Sequence, residues 1–349
     1  DNFNAPPTQK SLSVVFGARN EEENIQTCLE SLSSQSYENL QIVAVNDRST
    51  DKTGEMIRAA AKKSSRVRSV DITELPPNWL GKCHALQLGA SATQSDWILF
   101  TDGDIQFAPS ILAKSVAFAE AEMLDHLIIT PRMRSESSLL SAMQLIFAVN
   151  LMVISRPSQF GKNVNFYIGS GSFNLVRRSL YEKIGGHLPL RLEVIDDVLL
   201  GKIIAQAGGK QMLIDGRSSV SLEWYSSTRK MILGLEKNFF AGTRYSLWRV
   251  GLTLLIIFSM HLLPYLAVAL ASPWISILFL LNLALMFFIL VKACKRTGYP
   301  IYIVPLVPIA AWILAFTLLR STYFTLRRRG VLWRDTFYSL DSLKKYMVK

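Results

Sequence analysis

The first two hundred residues alternate short apolar runs with amphipathic segments. The runs are rich in Val, Ile, Leu and Phe, which favours strands, whereas the segments between them repeat apolar side chains three and four residues apart, which favours helices. Strands that alternate with helices in this way predict an α/β domain whose mostly parallel sheet has helices on both faces. The predicted strands cover residues 11–18, 41–45, 67–72, 97–100 and 127–130, and the predicted helices cover residues 21–33, 52–63, 81–92, 109–122 and 198–207.

A different pattern begins near residue 250. Residues 250–271, 274–291 and 301–319 are each about twenty residues of apolar sequence, the length that crosses a bilayer. They predict about three C-terminal transmembrane helices, and three buried core helices are the alternative. Residues 138–155 are apolar too, but polar side chains interrupt them. We expect this helix either in the membrane interface or buried against the sheet.

These patterns divide the chain into four parts. The parts are an N-terminal tether over residues 1–10, an α/β domain over 11–249, a membrane domain over 250–320 and a C-terminal tail over 321–349. The tail mixes basic residues with Trp333, Phe337 and Tyr338, which suits the surface of an anionic membrane. We therefore expect the bilayer as a partner, and no nucleic acid.

The charges around the apolar segments indicate a topology. The net charge is +11, and the basic loop near Lys292, Lys295 and Arg296 predicts a cytoplasmic position. The basic residues that precede the first segment place the α/β domain on the same side, because a hairpin of two spans separates the two regions. We expect a multi-pass protein of the inner or plasma membrane with this domain in the cytoplasm.

The tail contradicts a simple three-span arrangement. Residues 320–349 hold eight basic and two acidic residues, which favours the cytoplasm, yet a third span would place them outside. Pro305 and Pro308 make the third segment a candidate for a re-entrant or broken helix. The number of crossings stays open at this point.

Cysteine and histidine usage excludes several classes of site. The three cysteines have no metal-ligand spacing, and their odd number fits a reducing compartment rather than a disulfide framework. With four scattered histidines, a zinc site is not expected. The sequence begins at Asp1 without an apolar signal region, which leaves open a preceding anchor or leader.

An acidic loop follows the strand at residues 97–100. Asp102 and Asp104 are two residues apart, so their side chains point the same way in an extended chain and can share a divalent cation. Carboxylate oxygens suit Mg²⁺ or Mn²⁺, which often bridge a protein to phosphate oxygens. Gly103 between them lets a bulky group approach. A polar turn is the alternative interpretation.

Two further motifs are predicted to lie at the same sheet edge. Asp47 follows the second strand, and ligands of such sheets bind beyond the carboxyl ends of the strands. Gly81 and Lys82 begin a helix, where backbone N–H groups and an ammonium favour an anion. An ordinary surface lysine is the alternative for Lys82. The convergence of Asp47 with Asp102 and Asp104 favours a binding crevice over a simple turn.

A glycine-spaced loop and an acidic pair complete the candidate residues. Gly169, Ser170 and Gly171 lead into a strand, and Asp196 and Asp197 stand at the start of a helix. Taken alone, the loop is a weak motif, and the acidic pair has an alternative role in capping its helix.

Together these motifs resemble the family-2 inverting glycosyltransferases of the A-type fold, over residues 11–249. The motifs in order are Asp47, Gly81-Lys82, Asp102-Gly103-Asp104, the 169–173 loop with Arg177-Arg178 and Gly185-Gly186, and Asp196-Asp197. The 77–82 segment, Pro-Asn-Trp-Leu-Gly-Lys, and the membrane portion with its 330–334 segment are most similar to hopanoid-associated and carotenoid-associated glycosyltransferases, relatives of ceramide glucosyltransferase.

The resemblance implies a nucleotide-sugar-binding sheet and a role for each motif. Asp47 would bind the nucleoside, with a UDP-sugar as the favoured donor, and Lys82 would contact the phosphates or the uridine end. Asp102 and Asp104 would bind Mn²⁺ or Mg²⁺ on the diphosphate, with Gly103 beside the donor. Gly169, Ser170, Gly171 and Asp196 would form the donor and acceptor loop. Asp197 would be the general base that activates a lipid hydroxyl.

The sequence also departs from the family pattern. The first acidic motif is Asn46-Asp47 rather than two acids, and the usual Glu-Asp at the base is Asp196-Asp197. The Gln-x-x-Arg-Trp motif of processive synthases and of the ceramide enzyme is absent from the sequence, where residues 235–240 read Leu-Glu-Lys-Asn-Phe-Phe. This argues against a long polysaccharide product. Transfer to a polyprenyl phosphate, polysaccharide extension and a non-catalytic membrane scaffold remain as alternatives.

Overall fold

The computed structural model describes residues 6–348. The start of the predicted tether, before residue 6, and residue 349 of the predicted tail lie outside the described residues. The chain forms two compact units. The first contains the residues up to Arg132, Ser155–Leu222 and the residues from Tyr346 onward, and the second contains Met133–Ile154 and Glu223–Lys345.

The elements follow the predicted alternation. The strands are β1 Leu12–Ala18, β2 Leu40–Asp47, β3 Val67–Ile72, β4 Trp97–Phe100, β5 Gln106–Phe107, β6 His126–Thr130, β7 Arg132–Met133, β8 Asn174–Arg177, β9 Gln211–Asp215, β10 Val220–Leu222, β11 Gly330–Trp333 and β12 Thr336–Ser339. The α-helices are α1 Ile25–Ser33, α2 Thr53–Lys63, α3 Gly81–Ser91, α4 Ile111–Ala121, α5 Ser138–Ser155, α6 Arg178–Lys183, α7 Asp196–Gln206, α8 Thr228–Gly242, α9 Leu247–His261, α10 Leu263–Leu270, α11 Pro273–Thr297, α12 Val307–Arg328 and α13 Leu340–Lys345. Short 3₁₀ helices cover Pro157–Gln159, Leu188–Leu190 and Ile301–Leu306.

A seven-stranded sheet forms the centre of the first unit, in the order β3-β2-β1-β4-β8-β6-β9. The strands pair in parallel except β8, which is antiparallel to β4 and β6. The mostly parallel α/β sheet is therefore confirmed. In register, Val15 pairs with Val43 on one side and Phe100 on the other, so β1, β2 and β4 end at one edge. Their side chains are buried on both faces, as a covered parallel sheet requires.

The predicted start of the first helix is wrong. Helix α1 begins at Ile25, and Asn20, the residue that a capping pattern with Glu23 favours as N-cap, has φ 55°. The Asn20 Oδ1 accepts a hydrogen bond from the Thr50 N–H at 2.9 Å instead. A side chain that ties two loops together has outweighed the local capping pattern.

The second unit is helical, with the β11–β12 hairpin near its C-terminal end. Its core draws Leu140 from α5, Met231 from α8, Leu290 from α11 and Val307 from α12. Helix α5 is therefore buried against other helices of this unit, although its end stays open, since Ile154 is 73% exposed.

Three helices in the described residues are long and apolar enough to cross a membrane, namely Ser138–Gln159, Pro273–Thr297 and Ile301–Arg328. Helices α9 and α10 would add a fourth span if they act as one, but they are bent by 44° at the break between them. Helix α12 continues to Arg328, past residue 319 where the predicted third segment ends.

Candidate active site

The candidate residues lie where the strands of the first unit end. Asp47 is the last residue of β2, and the 101–104 loop leaves β4 at the same edge of the sheet. Asp196 and Asp197 begin helix α7, and Gly81 and Lys82 begin helix α3. Carboxyl ends of parallel strands and amino ends of helices thus converge on one crevice.

Asp47 is buried beneath the start of α3. It is 5% exposed and accepts hydrogen bonds from the neighbouring Arg48, through Nε at 2.7 Å and Nη2 at 3.3 Å. A Cβ at Gly81 would overlap the Asp47 Oδ2. A side chain at this position would have to displace the carboxylate, because the first turn of α3 lies directly against it. Arg48 is a site residue that the sequence analysis missed.

Lys82 binds the acidic residues on the other side. Its Nζ lies 2.8 Å from Asp102 Oδ1 and 3.8 Å from Asp196 Oδ1. Burial lowers the pKa of Lys82, but the carboxylates of Asp102, Asp196 and Asp197 more than offset this and hold its pKa well above the ordinary value. Lys82 is a half-buried ammonium paired with carboxylates and not a solvated surface lysine.

Asp104 carries the signature of a carboxylate that lacks its counter-ion. Burial, together with the nearby Asp102 and Glu21 carboxylates, raises the pKa of Asp104 to about 7. Its Oδ1 is buried and has no hydrogen-bond partner among residues 6–348. A divalent cation would satisfy this oxygen and remove the repulsion, and carboxylate oxygens are ligands that Mn²⁺ and Mg²⁺ accept.

The described residues do not by themselves form a complete metal centre. Within the described part of the chain, no group of three or more His, Cys, Asp or Glu residues is arranged to hold a metal ion. Asp102 and Asp104 offer two carboxylates, which fits a cation whose remaining ligands come from water and phosphate oxygens.

Asp197 is held by backbone donors from two elements. Its Oδ2 accepts from the Gly171 N–H at 2.7 Å, and its Oδ1 accepts from the Val198 N–H at 2.9 Å. The N-cap of α7 is Ile195, so Asp197 belongs to the first turn and reaches out of its helix to the loop. Capping therefore explains one of its oxygens and not the other.

The two loop glycines are explained by close approach. A Cβ at Gly171 would overlap Asp102 Oδ2 and would stand 3.3 Å from Asp197 Oδ2. A Cβ at Gly169 would overlap the backbone carbonyl of Asp197. Asp102 and Asp197 thus lie on either side of Gly171, and the lack of a side chain there lets both carboxylates come close to it. The Ser170 hydroxyl points to Ser172 instead, with 2.7 Å between the two oxygens.

Gly103 is not required by its protein neighbours. A Cβ there would meet Ile25 and Phe16 at 3.5 Å, an ordinary contact. Its predicted role beside the donor stays a prediction.

A small, partly open pocket lies among these residues. Its lining includes Lys82, Asp196 and Asp197, together with Asn174 and His187, which the sequence analysis missed. Burial, and then the Lys82 charge, lowers the pKa of His187 to about 3, so this ring is neutral near pH 7. The sequence gave no sign of a role for His187, because the residues around it come from distant segments.

The chain is similar to known proteins in sequence and in fold. The model of the glycosyl transferase family 2 domain matches residues 13–185. A mannosyltransferase of Pyrobaculum calidifontis, solved with GDP-Man and Mn²⁺, superposes with a TM-score of 0.54 at 16% identity, covering 91% of this chain and 90% of that one. At this identity the likeness shows the fold alone.

Two curated relatives are similar in sequence. The 4,4'-diaponeurosporenoate glycosyltransferase of Staphylococcus haemolyticus is 28% identical over 261 residues, which cover 70% of this chain and 67% of that enzyme. The poly-beta-1,6-N-acetyl-D-glucosamine synthase of Staphylococcus aureus is 28% identical over 180 residues, which cover 50% of this chain and 42% of the synthase. Residues 13–185 thus form a glycosyl transferase family 2 domain, and the fold is that of the A-type glycosyltransferases.

Proposed function

We propose that the enzyme transfers a sugar from a nucleotide-sugar donor, preferably a UDP-sugar, to the hydroxyl group of a membrane lipid, with inversion at the anomeric carbon. One observation carries the proposal. Asp47, Lys82, Asp102 and Asp197 lie in a continuous series of contacts in which Gly81 and Gly171 are the points of closest approach. A protein that had lost its chemistry would have no need to keep these charges together.

Each group has a role that fits its surroundings. Asp47 binds the nucleoside, and Lys82 provides positive charge for the diphosphate. Asp102 and Asp104 would hold a divalent cation, which would neutralise charge on the leaving nucleoside diphosphate. The raised pKa of Asp104 and its unpartnered oxygen support this assignment.

Asp197 acts as the general base. Its carboxylate takes the proton of the acceptor hydroxyl while that oxygen forms a bond to the anomeric carbon. The bond from this carbon to the phosphate oxygen breaks, and the nucleoside diphosphate leaves with the electron pair. A single displacement of this kind inverts the configuration. The N–H groups of Gly171 and Val198 fix the carboxylate orientation for the transfer.

A lipid is the favoured acceptor. The relative from Staphylococcus haemolyticus is named for an apolar carotenoid acid, and the present chain has several helices apolar enough for a membrane. The synthase of Staphylococcus aureus favours a second candidate, extension of a polysaccharide. The absence of the Gln-x-x-Arg-Trp motif from the sequence weighs against that candidate.

Helix α12 is long enough to cross a membrane, but its packing supports an arrangement in which it does not cross. Glu236 of α8 binds Arg320 at 2.8 Å and Arg328 at 3.1 Å, and Ser321 bonds to the α8 backbone. The α8 sequence contains four charged residues, so a spanning α12 would draw them into the bilayer. We propose that α12 lies in the cytoplasmic interface beside α8.

This arrangement removes the conflict between the charged segments. The bent pair α9 and α10 crosses the bilayer outward, and α11 returns, so the basic end of α11 and the basic tail both stay in the cytoplasm with the sugar donor. Helix α12 fits an interface because Trp312, Phe316 and Tyr323 form one exposed apolar face, whereas Leu314 and Ser321 are buried.

A donor and acceptor panel tests the proposal. Full-length protein in detergent is given UDP-sugars and GDP-sugars with Mn²⁺, and either carotenoid or hopanoid alcohols or an oligosaccharide primer. We expect one donor to be consumed with a single sugar added to the lipid. Long products on the primer would favour the synthase candidate, and no turnover with any pair would contradict both.

A further inference from the structure

Asn174, the first residue of β8, joins the two sides of the proposed base site. It is 2% exposed, and its Oδ1 accepts a hydrogen bond from the Ser170 N–H at 3.1 Å. Its Nδ2 donates to the backbone carbonyl of Asp197 at 3.4 Å. An N–H group only donates and a carbonyl only accepts, so these two bonds fix the orientation of the carboxamide.

His126 on the neighbouring strand β6 reinforces that orientation. Its Nε2 lies 3.1 Å from the Asn174 Oδ1 and must donate to it, because that oxygen is an acceptor. His126 is fully buried, and burial lowers its pKa to about 4, which keeps the ring neutral near pH 7. Its Nδ1 has no hydrogen-bond partner in the described part of the chain, which matches a ring with its hydrogen on Nε2.

We infer that Asn174, oriented by His126, is the positioning residue for Asp197. The inference rests on the proposed function, in which Asp197 is the base. One carboxamide holds the backbone of Asp197 and the loop that includes Gly171, whose N–H binds the Asp197 carboxylate. Asn174 therefore sets the position of the carboxylate relative to Asp102 without taking part in proton transfer itself.

The test replaces the hydrogen-bond donor of Asn174 while keeping the shape of the side chain. Asn174→Asp puts an oxygen against the Asp197 carbonyl, which repels it. A displacement of about 1 Å at a catalytic group costs on the order of 100-fold in rate. We expect kcat to fall about 30- to 100-fold, with the Kd of the Mn²⁺-bound donor within about threefold of wild type.

Gln35 provides a matched control. It is also a buried carboxamide with bonds to backbone groups, at 2.8 Å to the Ala108 carbonyl and 3.3 Å from the Leu112 N–H. It precedes β2, at the other end of that strand from Asp47. Gln35→Glu therefore imposes a comparable loss of stability, and we expect its kcat to stay near wild type.

A second pair of variants keeps the inference testable if Asn174→Asp folds poorly. His126→Leu removes the donor, whereas the side-chain amide of His126→Gln supplies one near the place of Nε2. We expect kcat about tenfold lower in the first and within about threefold of wild type in the second. Equal kcat in this pair, or equal losses in Asn174→Asp and Gln35→Glu, would overturn the inference. A wild-type enzyme that turns over no donor would instead overturn the proposed function.

Discussion

The raised pKa of Asp104 predicts how the stability of the protein depends on pH. In the metal-free protein its pKa is about 7, against 3.8 for the ordinary carboxyl group. The folded chain therefore binds more protons than the unfolded chain between these values, so the free energy of unfolding falls as pH rises through this range and is constant above it. Asp104→Asn removes this loss, so the variant gains on the wild type as the pH rises.

The size of the effect follows from the pKa change. At about 1.4 kcal/mol per pH unit, the full rise corresponds to about 4 kcal/mol. Asp104 is only partly buried and shares its repulsion with Asp102, so we expect about half of this, about 2 kcal/mol. For a unit of this size that is a difference in melting temperature of roughly 4–8 °C between pH 4 and pH 8.

The assay is thermal unfolding of wild type and Asp104→Asn in detergent with EDTA. Asp96→Asn is a control of opposite sign, because hydrogen bonds from Ser11, with help from Lys10, lower the pKa of Asp96 to about 2. That variant should lose stability near neutral pH, with a smaller loss in acid. If the difference in melting temperature between Asp104→Asn and wild type is the same from pH 4 to pH 8, then the pKa of Asp104 is not raised in the folded protein. Added Mn²⁺ should stabilise wild type and not Asp104→Asn.

Three further predictions address the donor site, the loop and the membrane. Lys82→Met should weaken donor binding by about 10- to 100-fold in calorimetry, because a charged hydrogen-bond donor is lost, and unchanged affinity would contradict the role of Lys82. Gly169→Ala should abolish turnover and lower the melting temperature, since its Cβ would overlap backbone, whereas Gly242→Ala meets open space and should do neither. In cells, an impermeant maleimide should label Ser272→Cys at once and Ser339→Cys only after permeabilisation. The three native cysteines are buried and should stay unlabelled. Labelling of Ser339→Cys in intact cells would contradict the interfacial position of α12.

The sheet was predictable because its signal is local. Each strand is a short apolar run, and Asp47, Asp102 and Asp104 follow such runs directly, so parallel order alone brought them to one edge. The glycines at 81 and 171 were also visible as motifs. The sequence did not show why glycine stands at these positions, since each lies against a carboxylate from a distant part of the chain.

The residues that sequence analysis missed depend on long-range partners. Asn174 and His126 are ordinary members of β8 and β6 until the antiparallel pairing of these strands brings their side chains together. The role of α12 was hidden for the same reason. Its composition matches a membrane span, whereas its ion pairs with Glu236 and the bond of Ser321 to the α8 backbone show that a helix with four charged residues packs beside it.

Comparison of wild type with Asp197→Asn is the most direct test of Asp197 as the general base. The measurement is the rate of donor consumption under saturating Mn²⁺ and donor, alongside the Kd of the donor for each protein. We expect kcat to fall roughly a thousandfold or more while Kd stays within about threefold, because the base acts on the acceptor and not on donor binding. Retained turnover in Asp197→Asn, or a matching loss of donor affinity, would contradict this role of Asp197.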